Sequence, residues 1–283
     1  MATTPVTGAA ATIGSVTSNT DLAQIVGTAL NLTAFVPNFI SDTADTTPLA
    51  GLVVRNTAGL RSGEVGFRGV YPRGTPRYGA SGLVTFASGY VFLCSQYSVT
   101  FDWGEADITG YTGAAQTWKR FRPGSVPSVS GTFDALVSDD TTPALPTAAN
   151  GSGAAVTFKL AEDGSADPSI AGNIVVTGNS YDEITATATK LPVRYSFVGG
   201  GTALWTTSAG DTLPPILPAG DIDAPDWDAN GDGAPDVSAT FTLASGRTLT
   251  SPVFIRTLTL ASSVNGIVTV SGTLRIAGDV TVA

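Results

Sequence analysis

The chain has 283 residues, 42% hydrophobic and only 13% charged, with 33 Gly, 17 Pro and a formal net charge of −9. That length allows one large all-β domain or two modest ones, each with a real core, and the apolar content excludes wholesale disorder. Histidine is absent, which excludes Ser-His-Asp and Cys-His nucleophile systems, His-ligated zinc and the commonest general base.

The many Gly, Pro, Thr, Val and Ser residues predict short strands and turns instead of helices. An acidic chain is a poor candidate for a nucleic-acid-binding surface, because phosphate contacts need clustered Lys and Arg. No apolar run reaches the roughly 18 residues of a membrane-spanning helix.

In chain order, the opening MATTPVTGAAATIGS lacks the basic and apolar regions of a secretory signal, and is expected to be a mobile or docking arm. Leu83–Ala87 and Tyr90–Phe101 alternate and are separated by Ser88-Gly89, which predicts a hairpin. The single cysteine, Cys94, lies inside the second of these strands and reads as a buried thiol. A polar turn, Asp107-Ile-Thr-Gly110, then leads into Trp118-Lys119-Arg120-Phe121-Arg122, which holds three of the fourteen basic residues. Val129–Leu136 and Ala155–Leu160 are predicted strands, the latter followed by an acidic turn at Glu162–Asp167. Further strands are expected at Asn173–Gly178, Ile184–Thr189 and Leu191–Val198, with a turn at Asn179–Asp182. The stretch Leu213-Pro-Pro-Ile-Leu-Pro-Ala-Gly220 reads as a stiff linker. The last strands are Ala239–Leu243, Val253–Leu260 and Gly266–Ile276.

Two segments look like copies of one unit: VTFKLAEDGSADPSIAGNIVVTG…VRYSFVGGG from Val156, and ATFTLASGRTLTSPVFIRTLTL…SGTLRIAG from Ala239. In the earlier half, Ser62–Gly69 (SGEVGFRG) echoes Val129–Ala135 (VSGTFDA). This predicts an internal duplication in which one β unit is inserted into another. The expected boundaries are 1–77 for an arm and the first part of an outer β domain, 78–208 for the inserted β domain, and 209–283 for a linker, an acidic turn and the rest of the outer domain. The expected fold class is all-β, a sandwich or barrel with a second related β domain and at most one or two short helices.

Two stretches are candidate sites. Asp228, Asn230, Asp232 and Asp236 occupy the first, third, fifth and ninth places of a calcium loop, with Gly233 at the sharp turn. The twelfth place is Ala239, so the bidentate carboxylate is missing, and an Asp/Asn/Gly turn before a strand is the plainer reading. Apart from calcium there, no cofactor is expected. The Trp118–Arg122 cluster could stack on nucleotides, but with a net acidic chain it is expected instead to pin a loop onto a neighbouring protein surface. No acid pair is placed for hydrolysis, since the adjacent Asp182 and Glu183 would face opposite ways on a strand.

Gly82–Tyr90, Ser98–Asp102, Ala106–Gly110, Trp118–Gly124, Val129–Asp134 and the Gly-rich Val198–Leu204 together form a series that resembles the tail tube proteins of tailed bacteriophages. The resemblance covers residues 80 to 205, and the flanking segments depart from a minimal tube protein. It implies a β-sandwich or barrel with a short flanking helix and a long loop, in a virion protein assembled in the host cytoplasm. It implies that copies form rings that stack into a hollow tube, with other tail proteins as further partners, and that DNA passes through an acidic lumen without specific binding. On this reading Asp107, Thr109, Trp118, Lys119, Arg120, Phe121 and Arg122 form an inter-ring stacking loop. No enzymatic activity and no membrane partner are expected. A ring of six units would be a hexamer of one-unit chains, the family default, or a trimer of two-unit chains; both stay open here. Other classes with this composition are a capsid decoration protein, a receptor-binding β module and a secreted adhesin domain.

Overall fold

The computed structural model describes residues 12–17, 31–45, 56–70, 84–86, 91–110, 117–138, 153–159, 169–181, 190–207, 220–222, 238–242, 247–263 and 268–283. These residues form seventeen strands and no helix, so the fold is all-β, as expected, without the short flanking helix among the described residues. In chain order they are β1 (Thr12–Thr17), β2 (Asn31–Asp45), β3 (Asn56–Val70), β4 (Val84–Phe86), β5 (Val91–Asp102), β6 (Glu105–Asp107), β7 (Phe121–Pro123), β8 (Ser128–Ser138) and β9 (Ala154–Lys159). Then follow β10 (Ser169–Tyr181), β11 (Lys190–Gly199), β12 (Trp205–Thr207), β13 (Gly220–Ile222), β14 (Ser238–Thr242), β15 (Thr248–Ser263), β16 (Thr269–Ile276) and β17 (Thr281–Val282).

Strand pairing sorts most of them into two sets. In the first, β4 pairs β5, β5 pairs β8, β8 pairs β11, β11 pairs β10, β10 pairs β9, and β9 returns to β4. That ring has no open end, although β9 covers the edge of β10 only as far as Ile174. In the second set the order β2, β3, β16, β15, β14, β1 is the same order, strand for strand.

The correspondence holds residue by residue. Ile170 faces Phe158 on one side and Thr207 on the other; Leu249 likewise faces Phe241 and Val282. The β10–β11 register breaks between Val176 and Gly178, and the β15–β16 register breaks at the equivalent place, between Ile255 and Thr257. A second break, between Cys94 and Gln96 in β5, recurs between Leu32 and Ala34 in β2. A bulge is a local one-residue insertion that re-aims a strand. Two shared bulges in two otherwise different strand pairs mark a common backbone plan.

Two segments differ from their sequence reading, and a third, Asn31–Pro37, for which the sequence predicts no strand, is part of β2 and stands where β5 stands in the other set. The expected turn at Asn179–Asp182 falls partly inside β10, which stays paired through Tyr181. β15 begins at Thr248, five residues before the apolar run that announced it. The strand expected at Ile184–Thr189 and the linker before Gly220 lie outside the described residues.

The two sets are one body. β5 pairs β15 from Asp102↔Thr257 to Gln96↔Ser263, so a single antiparallel sheet runs from one into the other. Alternation puts Tyr97, Val99 and Phe101 of β5 beside Leu258 and Leu260 of β15 in a shared core. Phe101 is fully buried and meets the Trp205 ring edge-on, at 5.7 Å. Gly172 leaves room for that indole: a Cβ there would sit 2.2 Å from the ring. Beside them Phe133, Phe158, Phe197 and Tyr195 form tilted and stacked ring pairs. Each such ring contributes through burial of its large surface and about 0.5–1.5 kcal/mol more from ring geometry.

The opposite face of the same sheet is polar and mostly short-chained. One cross-strand row reads Arg68, Ser271, Thr259, Thr100, Ser130; the next reads Thr269, Ala261, Ser98, Thr132, Ser196. The Thr100 and Thr259 hydroxyls meet at 2.9 Å across the seam. The period-2 alternation of Thr/Ser with Val/Leu/Phe produces this two-sided sheet.

Candidate assembly site

The excursion between β5 and β8 carries the cation-and-aromatic cluster. It begins with β6 and β7, paired from Glu105↔Pro123 to Asp107↔Phe121. The Asp107 carboxylate accepts the Thr109 N–H at 2.9 Å, an Asx turn that starts the loop. Hydrogen bonds from the Thr109 side chain and backbone hold the Asp107 carboxyl below its ordinary range. The Thr109 hydroxyl in turn accepts the Arg120 N–H at 2.8 Å, and Ile108 N–H donates to the Arg120 carbonyl at 2.9 Å. The two limbs of the excursion are thereby tied at its base.

Beyond that base the cluster lies against strands of the second set. Trp118 forms a parallel bridge with Arg61 of β3: Arg61 N–H donates to the Thr117 carbonyl at 2.9 Å, and Lys119 N–H donates to the Arg61 carbonyl at 2.7 Å. The Trp118 ring meets Phe39 of β2 edge-on at 5.8 Å, and the Lys119 ammonium lies 2.7 Å from the Asp42 carboxylate. Phe121 packs with Phe254 of β15 and with Ala277, under the Arg275 guanidinium 3.8 Å above its ring. Glu105 reaches Arg275 at 2.9 Å and Arg256 at 3.8 Å, while Arg256 also approaches Glu64 of β3 at 3.5 Å. Arg256 is the bulged residue of β15, and its carbonyl accepts the Trp103 N–H at 3.0 Å.

The cluster therefore touches the other half of its own chain. Two of the expected stacking-loop residues, Trp118 and Phe121, point into that contact. They are 8% and 5% exposed, and their rings fill the junction between the two strand sets. Of the expected loop residues, Asp107, Arg120 and Arg122 are exposed, Thr109 is half-buried, and Lys119 is half-buried in its ion pair. Residues 111–116, between the two limbs, lie outside the described residues, as do Asp228, Asn230, Asp232 and Asp236 of the expected calcium turn.

Sequence reading missed the partners in this clamp: Arg61, Glu64, Glu105, Arg256 and Arg275. A signal existed. Arg256 and Arg275 are lone cations in Thr-rich strands, and their positional equivalents in the first copy, Thr177 and Val198, are uncharged.

Two sheet edges complete the site. The outer edge of β2 pairs with no strand among the described residues, and Val36, Phe39 and Ile40 on it are 66%, 42% and 56% exposed. On β10, β9 covers one edge only as far as Ile174; beyond it Thr177, Gly178 and Ser180 are exposed. Adjacent to β10 lies an open groove of about 460 Å³ lined by Val126, Pro127, Ser130, Val198 and Gly200. Burial pushes the Cys94 thiol up to about 12, so the nucleophilic thiolate is not formed near neutrality. Burial likewise pushes the pKa of the Tyr97 hydroxyl up and keeps it neutral, and it donates to the Lys159 carbonyl across the barrel.

Comparison with protein-family models, with curated proteins and with solved structures finds no match to this chain.

Proposed function

We propose that this protein is a structural subunit of a bacteriophage tail tube, which assembles into stacked rings and conducts DNA through their lumen. The observation that carries the reading is the continuous sheet through β5 and β15, with a packed core on one face, small hydroxyl side chains on the other, and open edges at β2 and β10. A wall of a channel needs such a sheet: one that extends from copy to copy and turns a polar face inward. Ser, Thr and small residues make up most of that face; of its cations, Arg194 is engaged by Asp134, and Arg68 stands opposite Ser271. A chain of net charge −9 keeps phosphates mobile in the same way. The exposed Asp107, Arg120 and Arg122 at the rim of the excursion remain the residues proposed to meet the next ring.

Negative-stain microscopy of the purified full chain tests this. Rings or stacked tubes with a central channel are the expected result. Monodisperse monomers at high protein concentration would overturn it and favour a decoration or receptor-binding module.

A further inference from the structure

The β5–β15 seam joins two units that share one backbone plan, and the same two strand positions recur at the free edges of the chain. β2 stands to the second unit as β5 stands to the first, and β10 stands to the first as β15 stands to the second. The seam is used once inside the chain, and among the described residues no strand covers its second half-sites, on β2 and on β10 beyond Ile174. We propose that the outer edge of β2 in one copy pairs with the C-terminal half of β10 in the next copy, head to tail, in the register of the internal seam.

The register follows from the equivalences. Asp102 and Thr100 of β5 correspond to Ile40 and Asn38 of β2, through the shared Cys94/Gln96 and Leu32/Ala34 bulges. Thr257 and Thr259 of β15 correspond to Gly178 and Ser180 of β10, through the shared Val176/Gly178 and Ile255/Thr257 bulges. The internal pairs Asp102↔Thr257 and Thr100↔Thr259 thus become Ile40↔Gly178 and Asn38↔Ser180 between copies.

Burial supports the same partner. Phe101 is fully buried at the internal seam, whereas its equivalent Phe39 is 42% exposed. Unpaired strand edges of this length recruit another strand, and an apolar one does so most readily. A second observation is independent of the edges. Inside the chain, the excursion after β5 docks over Arg256 and Arg275, and Arg256 also approaches Glu64. The equivalent positions in the first unit are Ser130, Thr177 and Val198, and Ser130 and Val198 line the open groove. The equivalent connection in the second unit joins β2 to β3, and its described limbs, Ser41–Asp45 and Asn56–Arg61, are paired with each other. In the seam register those limbs of one copy would lie beside the next copy's groove at Val198.

Such an interface is heterologous, so repeated application closes a ring or winds a helix. The number of copies rests on the tail-tube reading: six units around the lumen require three chains of two units each.

Cysteine cross-linking tests the register. In a Cys94→Ser background, Asn38→Cys with Ser180→Cys is oxidised in the full chain, and Thr100→Cys with Thr259→Cys serves as the intrachain control. The expected result is a ladder of disulfide-linked chains from the first pair, ending at three, and only intrachain bonds from the control. Rings seen by microscopy without such a ladder would overturn the seam while leaving the ring reading intact. A ladder ending at six would overturn the three-chain count alone. Val36→Lys with Ile40→Lys, at exposed edge positions, is expected to give folded monomers with an unshifted melting temperature. Wild-type-like assembly by that variant would overturn the proposal.

Discussion

At Asp134 a single carboxylate holds three strands in register. It accepts Gln96 Nε2 of β5 at 2.6 Å, and both Nε and Nη2 of Arg194 of β11 at 2.7 Å, while sitting on β8 itself. The hydrogen bond from Arg194 is the main reason its carboxyl lies below the ordinary aspartate value, with Gln96 and the Arg194 charge adding to it. A depressed folded pKa gives stability that is complete above the unfolded value, about 3.9, and lost as pH falls through the folded value. Arg194 is 53% exposed, so water screens the pair and its worth is about 1 kcal/mol or less. Asp134→Asn keeps the Gln96 contact and removes the charge. Thermal melts at pH 7 should place this variant a few degrees below wild type, with the gap closing near pH 3. A gap that is the same at both pH values would mean that the charge contributes nothing.

At the scale of elements, the β6–β7 excursion is the part whose meaning changed between sequence and structure. Trp118→Ala should now cost about 3 kcal/mol or more, because the indole is buried against Phe39 and bridged to Arg61. Arg120→Ala and Arg122→Ala, at exposed positions, should leave the melting temperature unchanged while weakening stacking of rings. Chemical denaturation of the three variants decides this; a Trp118→Ala chain as stable as wild type would return that residue to the surface. The sequence showed a cation–aromatic cluster that pins a loop, but not what it is pinned to. The partners are Arg61, Arg256 and Arg275, roughly 60 to 150 residues away along the chain, and only the topology brings them near. The strands themselves were legible wherever Val, Leu and Phe alternate with Thr and Ser, as in β5 and β16. β2 was not, since Asn31, Pro37 and Asn38 carry turn chemistry and an edge strand lacks a buried partner to enforce alternation. The likeness between Ser62–Gly69 and Val129–Ala135 was legible and corresponds to β3 and β8, whose Phe67 and Phe133 hold equivalent registers.

For the molecule as a whole, the consequence of the seam is that neither unit can lose its core alone. Leu258 and Leu260 of β15 are buried in one cluster with Val99 and Phe101 of β5, and with the aromatic rings around Phe158 and Trp205. The clamp of Glu105 with Arg256 and Arg275 fastens the two a second time. Domains joined by a small polar interface unfold independently, but a shared apolar core and a continuous hydrogen-bonded sheet couple them. The expected behaviour in denaturant is a single transition, with the amides of β10 and β15 losing hydrogen-exchange protection together. Leu258→Ala is the probing substitution, because it opens a cavity at the junction and should remove about 2–5 kcal/mol. If the units are coupled, the loss appears equally in the protection of β10, which Leu258 does not share a strand with, and in that of β15. Two separate transitions, or a loss confined to β15, would show that the sheet is continuous in geometry but not in energy, and the two-unit chain would then behave as two beads on one string.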